Sequence, residues 1–252
     1  MIMIKRKTAR KWLLITFIFI IFLYLIWFMA NSCIHPTFTN VNESFDNSAK
    51  VNEWVVLLTT CVEPFNAKED EIKYRTKLYK TQIQKWLNET KLPIFVVESS
   101  NNTDIFKELN DPDNKVTYYT LLANDTTSSS IGELKSLKYA LENMKKNERY
   151  IKSKYILKVT GRYFLNDIEN AINKLQKGQD LYLQKHRTTD SQNSEYYGIK
   201  KDLFDEFINS YDKELSMENN LYNFSLNKKI DFFEPFNNDI PRGGDKITIQ
   251  QL

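Results

Sequence analysis

The spacing of apolar positions divides the chain into two unequal parts. Trp12 to Ala30 is an apolar stretch with no charged residue. At 1.5 Å per residue it approaches the roughly 30 Å hydrocarbon thickness of a bilayer. Beyond it the apolar residues fall into short clusters. Trp54 to Val62 (WVVLLTTCV) is continuous and rich in β-branched residues, the pattern of a strand buried on both faces of a parallel sheet. Ile72, Tyr79, Ile83, Trp86 and Leu87 recur at helical spacing across Glu69 to Leu87, and PIFVV at Pro93 to Val97 returns to a strand pattern. The alternation continues with a short helix at Ile105–Leu109, a strand at Lys115–Leu121, a helix at Ile131–Met144 and a strand at Lys154–Thr160. A helix at Asn166–Leu175, strands at Asp180–Leu183 and Tyr196–Ile199, and a helix at Lys201–Tyr211 complete the reading. Alternating strands and helices predict an α/β domain, a mostly parallel sheet with helices on both faces whose ligands bind beyond the carboxyl ends of the strands.

Charge orients the first part. Lys5, Arg6, Lys7, Arg10 and Lys11 precede the apolar stretch and the next basic residue is Lys50, so the positive-inside rule places residues 1–11 in the cytoplasm. Residues 12–30 are expected to form a transmembrane signal-anchor in the lipid bilayer. Residues 31–52, rich in Asn, Ser and Thr, form a stem, and 53–252 a lumenal domain. The alternative, a cleaved signal peptide ending near Ala30-Asn31-Ser32, conflicts with an apolar run longer than the roughly 7–15 residues of such a segment. The predicted topology is a single-pass type II membrane protein with its domain in the ER or Golgi lumen. Sequons at Asn42, Asn88, Asn101, Asn124 and Asn223 suit that compartment, although triplets of this kind arise by chance in so Asn-rich a chain. Cys33 and Cys61 are expected as two unpaired thiols.

The net charge of +3 belongs to the cytoplasmic tail: after Ala30 there are 30 basic and 32 acidic residues. No basic face remains of the kind that neutralises nucleic-acid phosphates, so nucleic acid is excluded as a partner.

The densest chemical constellation is Lys158-Val159-Thr160-Gly161-Arg162-Tyr163, at the carboxyl end of the Lys154 strand. Gly161 permits positive φ or close backbone approach, Arg162 presents a fork of donors suited to a diphosphate, and Lys158 and Thr160 share a strand face. Glu133 lies at the start of the preceding helix, where it either completes a capping box with Ser130 or faces a ligand. Glu195, before Tyr196-Tyr197-Gly198, is a candidate general base. The D-x-D match, Asp111-Pro112-Asp113, precedes a strand and has turn composition, so a divalent metal (Mn or Mg) has no placed ligand pair. His35 and His186 are the only histidines, and neither a G-x-S-x-G elbow nor a phosphate-loop signature is present. The stretch Asn237 to Asp245, with Gly243-Gly244, has loop composition.

In order, WVVLLTTCV, the R-x3-Y-x6-W spacing of Arg75, Tyr79 and Trp86, PIFVVESS, SIGELKSLKYAL and YILKVTGRYFL resemble GT-A-like glycosyltransferases, in particular a small viral, algal and bacterial type with a K-[IV]-T-G-R-Y motif. The resemblance covers about Trp54 to Leu165. It implies a GT-A-like, Rossmann-related sheet and transfer of a sugar from a nucleotide-sugar donor to a glycan or glycoprotein acceptor. It also implies a site at Glu133, Lys158, Gly161 and Arg162, with Glu195-Tyr196-Tyr197-Gly198 matching a weaker acidic-aromatic-glycine motif; with the chemistry of the strand end, the expected donor site is Glu133, Lys158, Thr160, Gly161, Arg162 and Tyr163, with Arg162 and Glu195 catalytic. The alternative is a catalytically inactive glycan- or protein-binding membrane protein on the same fold.

Overall fold

The computed structural model describes residues 50–123, 128–185 and 190–236, all within a unit spanning 46–252. The predicted tail and anchor, most of the stem, Cys33, both histidines and the 237–245 loop lie outside the described residues. No helix among the described residues is long and apolar enough to cross a membrane.

Seven strands form one mixed sheet: β1 (Trp54–Thr60), β2 (Ile94–Glu98), β3 (Val116–Thr120), β4 (Tyr155–Thr160), β5 (Leu181–Gln184), β6 (Tyr196–Lys200) and β7 (Ile230–Phe233), in the order β3-β2-β1-β4-β6-β5-β7. β1 to β4 are mutually parallel, β5 and β7 are parallel to each other, and β6 runs antiparallel between β4 and β5. The sheet is therefore mostly parallel, with one reversal. Its cause is the β5–β6 link, in which the sequence supplies no helical crossover; a parallel return in the same sheet needs one, whereas an antiparallel neighbour does not.

β1 is central, as its apolar run predicts. All seven residues are buried, and they serve two cores by alternation: Trp54, Val56 and Leu58 on one face, Val55 and Leu57 on the other. The first core is closed by α1 (Glu69–Glu89) and α4 (Ile168–Lys174), the second by α2 (Ser129–Met144), α3 (Glu148–Lys152), α5 (Lys201–Asn209) and α6 (Met217–Ser225). Packing starts slightly earlier than the stem boundary at residue 52 implies. Val51 is buried, and the Lys50 ammonium donates to the carbonyls of Asn173 (2.7 Å) and Leu175 (3.0 Å) at the end of α4.

Three elements were absent from the sequence reading. α3 is a five-residue turn capped by Asn147, whose side chain accepts from the Arg149 N–H. α6 is capped by Ser216, and β7 adds the parallel edge strand beside β5. Met217 and Leu221, one turn apart on α6, are buried in the second core.

Candidate functional site

The carboxyl ends of β1, β2, β3 and β4 share one edge of the sheet, and the amino end of β6 joins them because that strand is reversed. The residues singled out from the sequence arrive at this edge in two groups, one on each face.

On the α2 face, Lys158 follows Ile156 in β4 and is fully buried. Its ammonium pairs with Glu133 of α2, donates to the Ser194 carbonyl at 2.9 Å and to Thr160 Oγ1 at 3.3 Å, and lies 5.6 Å from the Tyr197 ring centre. An ammonium has three hydrogens, and all three have acceptors inside the protein. Glu133 Oε1 also accepts from Thr59 Oγ1 of β1 at 3.4 Å. Tyr197, immediately beneath, has a buried hydroxyl with no hydrogen-bond partner, and burial first, then Glu133 and Tyr211, hold its pKa far above the ordinary phenol value. The capping reading of Glu133 fails: α2 begins two residues earlier than a Ser130 cap requires, and Ser128 does the capping by accepting from the Ile131 N–H at 3.4 Å. Ser130 is committed elsewhere, its Oγ accepting from the Met217 N–H at 3.3 Å. Glu133, on the next turn of α2, points across to β4 and β1.

On the α1 face, the chain turns at Thr160–Tyr163. Gly161 N–H donates to the Thr59 carbonyl (2.8 Å) and Tyr163 N–H to the Thr160 carbonyl (3.0 Å). Of the two properties expected of Gly161, close approach is the one used. A Cβ there would stand 2.4 Å from Thr60 Cγ2 and 3.1 Å from the Thr59 carbonyl oxygen, while its φ is not in the left-handed region. Tyr163 is buried and its carbonyl accepts from Trp86 Nε1 at 2.9 Å, so α1 pins the turn. Arg162 projects from that turn with its guanidinium carbon 5.2 Å from the Tyr163 ring centre. Its Nε is buried without a hydrogen-bond partner, and no ion pair to Arg162 is found among the described residues. An unsatisfied buried donor on a permanent cation is costly, and an anion is the chemistry that would satisfy it.

Glu195 precedes β6 at the same edge. Its carbonyl accepts from the Thr160 N–H at 2.7 Å, and Oε2 accepts from Gln184 Nε2 at 3.1 Å. Thr160 and Glu195 are thus adjacent, whereas Arg162 and the Glu133–Lys158 pair occupy opposite sides of the β4 end.

Three further residues at this edge, Glu98, Arg75 and Tyr79, were not among the site residues expected from the sequence. Glu98, at the end of β2, is fully buried; its oxygens accept from the N–H groups of Val62, Ser100 and Asn102 and from Ser100 Oγ (2.6–2.9 Å). It clasps the loops after β1 and β2, and burial pushes its pKa up despite those bonds. Arg75 NH1 donates to the Cys61 carbonyl (3.3 Å) and to Tyr79 Oη (3.4 Å). The nearest signal for this pair was the R-x3-Y spacing on α1.

Asp111-Pro112-Asp113 does not fit a metal. Its first carboxylate accepts from the N–H groups of Lys115 and Val116, each at 2.8 Å, and so starts β3 at the opposite edge of the sheet. Among the described residues no group of three or more His, Cys, Asp or Glu is placed to hold a metal ion.

No family model matches the chain, and no curated protein is similar to it. Among solved structures it is similar to a cytidylyltransferase from Leptospira borgpetersenii, at 12% identity over 74% of this chain and 77% of that one, with a TM-score of 0.47. It is also similar to a Desulfovibrio desulfuricans protein assigned as a nucleotide-diphospho-sugar transferase (12% identity, 72% and 79% coverage, TM-score 0.43). A third is the glycosyltransferase GlyE of Streptococcus pneumoniae (8% identity, 71% and 45% coverage, TM-score 0.45). These neighbours have nucleotidyl- and sugar-transferase folds; the likeness is one of chain course, and no activity is assigned from it.

Proposed function

We propose that the chain is a glycosyltransferase that moves a sugar from a nucleotide-sugar donor to a glycan or glycoprotein acceptor, held in the membrane by residues 12–30 with its domain in the secretory lumen. The observation that carries the reading is Arg162: a guanidinium on a rigid turn at the carboxyl edge of the sheet, with a buried Nε that has no partner. Glycosyl transfer needs positive charge where the leaving diphosphate gains negative charge, and a donor fixed in advance supplies it without reorganisation. Arg162 has that role. Lys158, whose hydrogens are all taken internally, serves the donor through Glu133, holding that carboxylate for ribose or sugar hydroxyls. Thr160, Gly161 and Tyr163 fix the turn that carries Arg162. Glu195 is the acceptor base, oriented by Gln184. No step is routed through a metal, because the D-x-D match is spent on a turn.

The test is donor-dependent sugar transfer by the full chain in detergent. Arg162→Ala is expected to abolish measurable transfer with thermal unfolding unchanged, and full transfer by that variant contradicts the assignment. An alternative binding-protein reading predicts specific glycan binding with no turnover by the intact chain.

A further inference from the structure

The arrangement above leaves Tyr79 with packing alone to do, yet its oxygen is in an unusual position. Tyr79 lies in the inward stripe of α1 with Ile83, Trp86 and Leu87, and its ring supports the Arg162 turn: Cδ1 is 3.4 Å from the place a Gly161 Cβ would occupy. Its oxygen reaches the carboxyl end of β1. There it accepts from Arg75 NH1 at 3.4 Å, while Arg75 Nε is held by Glu71 at 2.8 Å.

Arginine donates and never accepts, and a phenol carries one proton. With its oxygen turned to Arg75, the Tyr79 proton is left to give, and no acceptor takes it among the described residues. Arg162 Nε, on the turn that the Tyr79 ring supports, is a second donor without an acceptor. Both arginines act electrostatically on this phenol; burial still outweighs them and keeps its pKa raised. On this face Arg75 is paired with Glu71, while two donors, the Tyr79 hydroxyl and Arg162 Nε, have no acceptor among the described residues.

Resting on the donor reading of Arg162, we infer that Tyr79 is a further ligand-binding residue, donating its hydroxyl to the pyrophosphate group that Arg162 holds, with Arg75 orienting the phenol. A pyrophosphate suits the arrangement better than a carboxylate. A guanidinium fork spans both oxygens of a carboxylate along one edge, whereas pyrophosphate spreads its oxygens over two phosphorus centres and can meet a guanidinium and a hydroxyl on neighbouring elements at once. Tyr79 and Arg162 come from α1 and the β4 turn, so the ligand bridges the two.

The test is calorimetric titration of the full chain in detergent with inorganic pyrophosphate, with acetate as the carboxylate control. The wild type is expected to bind pyrophosphate and not acetate. Tyr79→Phe is expected to weaken pyrophosphate about tenfold or more, the usual cost of losing a hydrogen bond to a charged group, while its unliganded unfolding temperature stays near that of the wild type. Arg75→Lys, at a partly exposed position, keeps the charge but loses the fork, and a loss of about threefold or more is expected if it orients the phenol. If Tyr79→Phe fails to fold, Arg75→Lys alone decides. Unchanged pyrophosphate affinity in these variants overturns the inference, and so does a wild type that binds no pyrophosphate. If pyrophosphate binding depends on Tyr79 but no nucleotide-sugar binds, the anion site stands and the donor reading falls. If a nucleotide-sugar binds through Arg162 with Tyr79→Phe unaffected, only the present inference falls.

Discussion

Replacing Lys158 by Met tests whether the buried pair with Glu133 organises the sheet edge. Lys158 is fully buried and Met is an unbranched side chain one atom shorter, so the change removes the charge and three hydrogen bonds with a small change in volume. Removing one member of a buried ion pair costs roughly 3–5 kcal/mol. The Glu133 side chain keeps 21% exposure and recovers some hydration, so the lower end, about 3 kcal/mol, is expected. In a domain of this size each kcal/mol moves Tm by about 2–4 °C, giving a fall of roughly 6–12 °C. The assay is thermal unfolding followed by circular dichroism, supplemented by urea titration to check that the m-value is constant. Glu133→Gln and the double variant complete a cycle. The pair is coupled directly, so the double variant should be more stable than the sum of single effects predicts, by about 0.5–3 kcal/mol. A fall below about 2 °C for Lys158→Met, or additivity within about 0.5 kcal/mol, refutes the claim that the pair organises the edge.

Other consequences can be checked in the same way. Gly161→Ala places a methyl 2.4 Å from Thr60 Cγ2 and is expected to cost about 1–3 kcal/mol by urea unfolding; Thr60→Ser, which removes that Cγ2, should recover part of the loss. Glu98 has a pKa raised by burial, so the folded state holds its proton more firmly than the unfolded chain. Its contribution to stability is therefore larger at low pH and declines as pH rises from the ordinary carboxylate range through the raised value. Glu98→Gln should flatten that part of the unfolding-versus-pH curve, while an identical slope in both proteins contradicts the prediction. Burial also raises the Cys61 thiol, so in a Cys33→Ser background it should react with a disulfide reagent at pH 8 more slowly than an unfolded control; equal rates count against it.

How far the sequence discloses this fold depends on how local each cause is. β1 and β4 carry their evidence within themselves: an unbroken apolar run in β1, and in β4 an apolar run interrupted at Lys158, that hold in any context with helices on both sides. The reversal of β6 was available only indirectly, from the missing helix between Leu183 and Tyr196, and β7 is too short and too polar at Asp231 to be distinguished from a loop. The same division runs through the site. Arg162 stands out because an arginine ending an apolar strand has few structural duties, whereas the glycine before it answers to the close approach of Thr60. Glu133 was ambiguous, because a serine three residues before a glutamate signals a cap whether or not it forms one; Ser128 forms it instead, and only the tertiary position of β4 shows what Glu133 meets. Tyr79 entered only through the R-x3-Y-x6-W spacing, which gives its hydroxyl no role. An aromatic at helical spacing reads as core, and its ring is core; the direction of its hydroxyl is decided by Arg75 and the end of β1. Asp111 illustrates the converse, since turn composition alone was enough to set it apart from a metal ligand.

The central claim is that the Arg162 edge binds a nucleotide-sugar. The most direct measurement is the thermal shift of the full chain in detergent against a panel of nucleoside diphosphates and nucleotide-sugars, each with and without Mn²⁺, because a ligand that binds only the folded state raises its apparent stability. The account predicts a selective rise with one nucleotide and its sugar conjugate in the wild type, and its loss in Arg162→Ala. A folded wild type that responds to none of them, or an Arg162→Ala variant that responds as fully as the wild type, contradicts it.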